Sequence, residues 1–153
     1  MKRALTPLLG LFLLVIIAGC GDAADRTPES ADEPENGLTA FEEEHGIGPF
    51  TEVVELGPEI DEAMARMGQE VFEFNCEACH ALDERFVGPP LGNILDIRSP
   101  TFVMNMIMNP SEMAQRHPVV QELLREYPVV MPYQNISEEQ ARAIVEYLRE
   151  PNP

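Results

Sequence analysis

Positive charge is scarce in this sequence. Ten Lys and Arg face 27 Asp and Glu in 153 residues, a net charge of −17. No basic patch is present to hold a phosphate backbone, which excludes nucleic acid as a partner. The acidity keeps the chain soluble, holds it off anionic headgroups and steers it towards basic partners. No convincing strand pattern and no internal repeat can be found. No apolar run is comfortably long enough to span a bilayer. Leu8 to Ala18 has the proportions of a signal peptide instead. Cysteine and histidine number only three each, and tryptophan is absent.

Lys2 and Arg3 precede the apolar run, and Gly19-Cys20 closes it. The ending "IAGC" resembles a bacterial lipobox. That resemblance implies a lipoprotein signal peptide over residues 1–19 and a diacylated N-terminus at Cys20, with the protein lipid-anchored to the cell membrane and facing the periplasm or exterior. Residues 20–57 read as an acidic flexible tether followed by an N-terminal strap. Residues 21–62 hold fourteen acidic residues and one basic, Arg26, and "GDAADRTPESADEPEN" has no apolar period. Residues 38–60 mix apolar and acidic residues and could lie on the domain surface. The ordered domain is expected over 58–153.

Helical signals dominate that domain, so the fold class is all-α. Met64, Met67, Val71 and Phe74 share one face at helical spacing. Ser99 and Pro100 open a second helix running to about Met108. "SEMAQRHP" and "PVVQELLREYP" read as two short helices separated at Pro118 and stopped before Pro128. Ser137 caps the last helix, Gln140 completes a capping box, and Ala141, Ile144, Val145 and Leu148 form its apolar face.

With Cys20 lipidated, Cys76 and Cys79 remain as a pair in an oxidising compartment. They would there be a disulfide, a metal site or a covalently modified site. Cys76-Glu77-Ala78-Cys79-His80 is the C-x-x-C-H attachment pattern for c-type haem. Thiols about one helical turn apart can add to the two vinyl groups on one porphyrin edge, and the imidazole after the second thiol then lies under the iron. Covalent attachment prevents cofactor loss and supplements a small core. A zinc site would need further ligands, and only His45 and His117 remain. A redox C-x-x-C should follow a strand. For the sixth iron position Met131 stands out, in a non-helical run between Val130 and Pro132. A soft thioether donor there would raise the potential. Another methionine of 104–113, or His117, competes with it. Met64, Met67, Met104 and Met108 read as core.

Residues 63–150 resemble a class I (mono-haem) cytochrome c. "GQEVFEFNCEACH" is similar to that family's first helix, "VGPPL" to the loop after the haem, and "MPYQNISEEQARAIVEYLRE" to its Met-Pro turn and last helix. The resemblance implies a small helical domain around one covalent haem c. It implies that Gly68 lets the last helix cross the first closely, with Phe72 and Tyr147 packed at the crossing. It also implies that the Pro89 carbonyl accepts a hydrogen bond from His80. The function implied is one-electron transfer without catalysis, passing electrons from a quinol-oxidising complex to a terminal oxidase or reductase, as a shuttle or a fixed subunit. A haem peroxidase or gas sensor with an open sixth site is the alternative. Residues 109–128 depart from the smallest members of the family, and the domain lacks the lysine ring that some members use for docking.

Overall fold

The computed structural model describes residues 37–150. Seven helices follow in order: α1 (Ala40–His45), α2 (Glu62–Asn75), α3 (Ile94–Ile97), α4 (Pro100–Met108), α5 (Pro110–Arg116), α6 (Pro118–Glu126) and α7 (Glu138–Tyr147). No strand occurs among the described residues, so the fold is all-α. Local chemistry fixes most boundaries. Thr39 and Glu42 form a capping box on α1, as Ser137 and Gln140 do on α7. Asp61 caps α2 by accepting from the N–H groups of Ala63 and Met64, and Ser99 caps α4. Helices α4, α5 and α6 each begin with proline, whose missing N–H is not needed in a first turn. The short helix pair expected over 111–128 is thus present as α5 and α6.

The central packing is α2 against α7. A Cβ on Gly68 would lie 1.9 Å from the Ala143 carbonyl oxygen, so only glycine permits this approach. The rings of Phe72 and Tyr147 meet beside it with centroids 5.5 Å apart. The buried face of α2 is Ala65, Gly68 and Phe72, which corrects the expected face in one member: Phe74 is 89% exposed. Phe72 and Phe74 are two residues apart, so a helix cannot turn both inward.

The folded part begins earlier than the expected boundary at 58. Leu38 and Ile47 are buried with Phe102, Met113 and Val120. The expected strap therefore belongs to the domain from Leu38 onward, while residues 20–36 and the signal segment with Cys20 lie outside the described residues. The strap is held by polar side chains on α4 and at its end. Asn105 is fully buried. Its amide donates to the carbonyls of His45 and Phe50 at 3.0 Å, and its oxygen accepts from the Phe50 N–H at 3.0 Å. Thr101 accepts from the Val54 N–H at 2.8 Å, and Asn109 donates to the Ile47 carbonyl at 3.2 Å. Further along, Arg149 donates to the carbonyls of Gly57 and Glu59. Strap backbone that would otherwise be buried without partners is thus satisfied.

Candidate functional site

A cavity opens between α2, α4, α6 and α7. Phe72, Val103, Ile107, Ile144 and Leu148 wall it on the α2–α7 side, and Phe102, Val120, Leu123, Leu124 and Tyr127 on the α4–α6 side. Cys76, Cys79, His80 and Met131 all line it. Among the described residues no Asp, Glu, Lys or Arg does.

The two thiols and the imidazole are set by the end of α2. Cys76 caps that helix, its N–H bonded to the Phe72 carbonyl. The N–H groups of Cys79 and His80 then both turn back to the Cys76 carbonyl, at 3.0 and 2.9 Å. This tight turn brings both thiols to one wall, and they form no disulfide. Burial, and next the neighbouring Cys79, push the Cys76 thiol up to about 11, so it is a thiol at neutral pH in the unmodified chain.

His80 is oriented by the loop that follows. Its Nδ1 donates to the Pro89 carbonyl at 2.9 Å, which leaves Nε2 as the nitrogen with a free lone pair. Gly88 makes room for the ring: a Cβ there would lie 2.5 Å from His80 Cε1. The loop is pinned at several points. The Gly88 N–H bonds the Cys79 carbonyl at 2.8 Å, and the N–H groups of Leu91 and Gly92 bond the carbonyls of Ala81 and Leu82.

Of the methionines competing for the sixth position, Met131 and Met106 line the cavity. Met104 and Met113 are buried in the two cores, with the Met113 sulfur accepting from the Ile47 N–H at 3.0 Å. Met108 packs against the first core. His117 is fully buried and does not line the cavity. Its Nε2 donates to the Glu42 carbonyl at 3.1 Å and its ring meets Phe102 edge-on at 5.2 Å. Burial holds His117 below the usual histidine range, against the raising effect of the Glu43 and Glu42 carbonyls. His45 Nδ1 and the Ser99 hydroxyl share a hydrogen bond at 2.8 Å, also away from the cavity. Among the described residues no cluster of three or more His, Cys, Asp and Glu could hold a metal ion, so the zinc alternative has no ligand set there.

Several lining residues were missed by sequence reasoning. Asn75 spends its amide on the Val71 carbonyl at 2.9 Å. Gln134, half-buried in the non-helical run after Met131, carries no motif. The stripe Val120, Leu123, Leu124 and Tyr127 could have been found, since its spacing is that of one helix face. Arg85 was also missed. It donates to the Glu126 side chain at 2.7 Å and the Glu126 carbonyl at 2.6 Å, and lies over the Tyr127 ring at 4.2 Å. It so ties the loop after His80 to the end of α6.

These residues fit a covalently held haem: two thiols and an imidazole with a free Nε2 on an apolar cavity, with a thioether in reach of the same space. Residues 65–151 match the Cytochrome c family. A solved cytochrome c from Rhodothermus marinus is 48% identical, covering 71% of this chain and 92% of its own, with a TM-score of 0.67. An engineered cytochrome c from the same organism is 47% identical over 71% of this chain and 93% of its own, TM-score 0.67. That engineered protein bound to a carbene intermediate is 48% identical over the same shares, TM-score 0.64. No curated protein matches. The family match spans more than half of the chain and the solved relatives share its helical fold, so this chain belongs to the cytochrome c family, a haem-based electron carrier with covalently attached haem c.

Proposed function

We propose that this chain is a one-electron carrier in which Cys76 and Cys79 would hold the porphyrin through thioethers, and His80 Nε2 and Met131 Sδ would ligate its iron. The observation that carries this reading is the composition of the cavity. Among the described residues it is lined by one imidazole, oriented by Pro89, and two thioethers, but by no second histidine, arginine or carboxylate. Haem supplies the ferric/ferrous couple. The side chains bind and orient it, exclude water, and offer no acid–base group of the kind a peroxidase uses to move protons. A thioether ligand from Met131 and apolar walls together would favour the reduced form and a raised potential, and we assign the chain no catalysed reaction.

The remainder of the proposal concerns placement. A lipid on Cys20 and an acidic tether would hold the domain at the cell membrane, facing the periplasm or exterior. Its local concentration near membrane partners would be raised. The donor would be a quinol-oxidising complex and the acceptor a terminal oxidase or reductase. Mass spectrometry of the native protein for a diacylglyceryl group on Cys20 tests the anchor.

The ligand reading is tested by absorption spectra of the haem-loaded protein. The weak long-wavelength sulfur-to-iron band should be present in the ferric form and vanish in Met131→Ala, with Met106→Leu leaving it intact. A high-spin ferric form that binds small ligands in the unsubstituted protein would replace the carrier with an enzyme or sensor.

A further inference from the structure

The lips of the cavity are apolar and open to solvent. Val87, 39% exposed, and Val129, 55% exposed, both line the cavity and reach its surface. Phe86 is their neighbour on one side, and Val130 and Tyr133 on the other, each more than half exposed. The two stretches are distant in sequence but joined in space, because Arg85 bonds Glu126 and covers Tyr127. They therefore form one patch.

The uncompensated charge around this patch has one sign. The chain has a single lysine, Lys2, so the described residues have none. Every described arginine except Arg98 is paired with a carboxylate: Arg66 with Glu62, Arg85 with Glu126, Arg116 with Glu112, Arg125 with Glu122, and Arg142 and Arg149 with Glu146. Arg98 instead lies against Phe102. Asp83 and Glu84, directly before Arg85, and Glu77, between the cysteines, are exposed and have no cationic partner. An apolar centre next to uncompensated acids is complementary to an apolar centre ringed by cations.

We propose that Phe86, Val87, Val129, Val130 and Tyr133 form the docking face for a redox protein whose own electron-exchange patch is apolar and ringed by Lys and Arg. The inference rests on the carrier reading and reverses the polarity of members that dock through a lysine ring. Anionic headgroups and a second copy of this chain are disfavoured by the same acids.

Stopped-flow electron transfer from the reduced, haem-loaded protein to a lysine-ringed basic cytochrome tests this. The second-order rate constant should fall steeply as ionic strength rises from about 10 mM to about 200 mM. Asp83→Asn with Glu84→Gln should lower the low-salt rate about three- to tenfold. Phe86→Ser and Val130→Ser should lower it at every salt concentration. Glu52→Gln with Glu55→Gln, on the strap, should leave it unchanged. Reduction potentials are measured for each variant, so a changed driving force is separated from changed docking. A rate insensitive to salt, or equal losses in the strap variant, overturns the proposal. So does apolar-lip-dependent binding to phosphatidylglycerol vesicles, or concentration-dependent dimerisation abolished by the lip variants. Failure of the carrier reading is distinct, since it appears beforehand as a high-spin ferric spectrum.

Discussion

Gly88→Ala should disturb His80, the proposed iron ligand, without substituting it. A Cβ at this position would be 2.5 Å from His80 Cε1 and 2.8 Å from Nδ1, about 1 Å inside ordinary contact. The backbone cannot simply retreat, because Gly88 N–H is bonded to the Cys79 carbonyl and its own carbonyl accepts from Phe86. The imidazole must move instead. A shift of that size would stretch its 2.9 Å bond to the Pro89 carbonyl beyond hydrogen-bond range. Losing the bond removes about 1 kcal/mol, and crowding adds about 1–3 kcal/mol of destabilisation. The bond also makes the imidazole a stronger donor and so favours ferric iron. Its loss should raise the potential by about 20–60 mV, since 59 mV in a one-electron couple corresponds to about 1.4 kcal/mol. Spectroelectrochemical titration and guanidinium unfolding of the haem-loaded protein read both effects. Pro89→Ala keeps the carbonyl and should change the potential far less. A Gly88→Ala protein with unchanged potential and stability would refute the account of how His80 is held.

Three further outcomes follow from the packing. Gly68→Ala drives a Cβ into the Ala143 carbonyl at 1.9 Å; forcing α2 and α7 apart should cost about 3 kcal/mol, despite alanine's better helix propensity, as read by denaturant midpoint. Asn105→Ala leaves the Phe50 N–H and several strap carbonyls buried without partners, so it should destabilise by about 2–4 kcal/mol and expose residues 38–57 to limited proteolysis. His117 is held neutral by burial, against the Glu42 and Glu43 carbonyls and with Arg98 nearby. Its lowered value means that stability is complete above the usual histidine range and lost as pH falls below it. His117→Gln keeps a donor for the Glu42 carbonyl and should flatten that acid limb in thermal melts from pH 7 to pH 4.

Local chemistry was legible in the sequence and distant pairing was not. Ser99, Ser137 and the helix-opening prolines act within one turn of chain, so their helices could be read directly. The attachment motif was legible for the same reason: the turn from Cys76 to His80 is closed by its own backbone. The face of α2 was read with Phe74 inside because methionine and phenylalanine dominate any hydropathy pattern. Its true contact line runs through Ala65 and Gly68, residues with little hydropathy. The early start of the domain was hidden in Asn105, a polar residue in the apolar stretch of α4 whose partners lie more than fifty positions earlier. Acids along the strap pointed to solvent, and they do face it. The few apolar residues between them, Leu38 and Ile47, decide the packing. Gly88 carried no signal beyond that of a turn, and Pro89 none apart from the family resemblance, because their role depends on a ring that arrives from another part of the loop.

The two cores also explain why the cofactor is attached covalently. One contains Phe72, Val103, Ile107, Ile144 and Leu148, and the other Phe102 and Val120, and all seven line the same cavity. The space between the cores is thus walled by residues that have no protein neighbour on that side. Left to water, these walls lose burial worth about 25 cal/mol for each Å², which a domain of this size cannot spare. α6 is the most dependent element. Its stripe of Val120, Leu123, Leu124 and Tyr127 faces the cavity, and α5 is its chief neighbour among the helices. Cys76→Ser with Cys79→Ser, produced without haem, should therefore lose much of its helical circular dichroism. The 118–127 segment should exchange its amide hydrogens fastest among the four longest helices. Native helicity and a cooperative melt in that variant would show that the protein cores suffice alone, and that the thioether bonds serve retention of the haem rather than the fold.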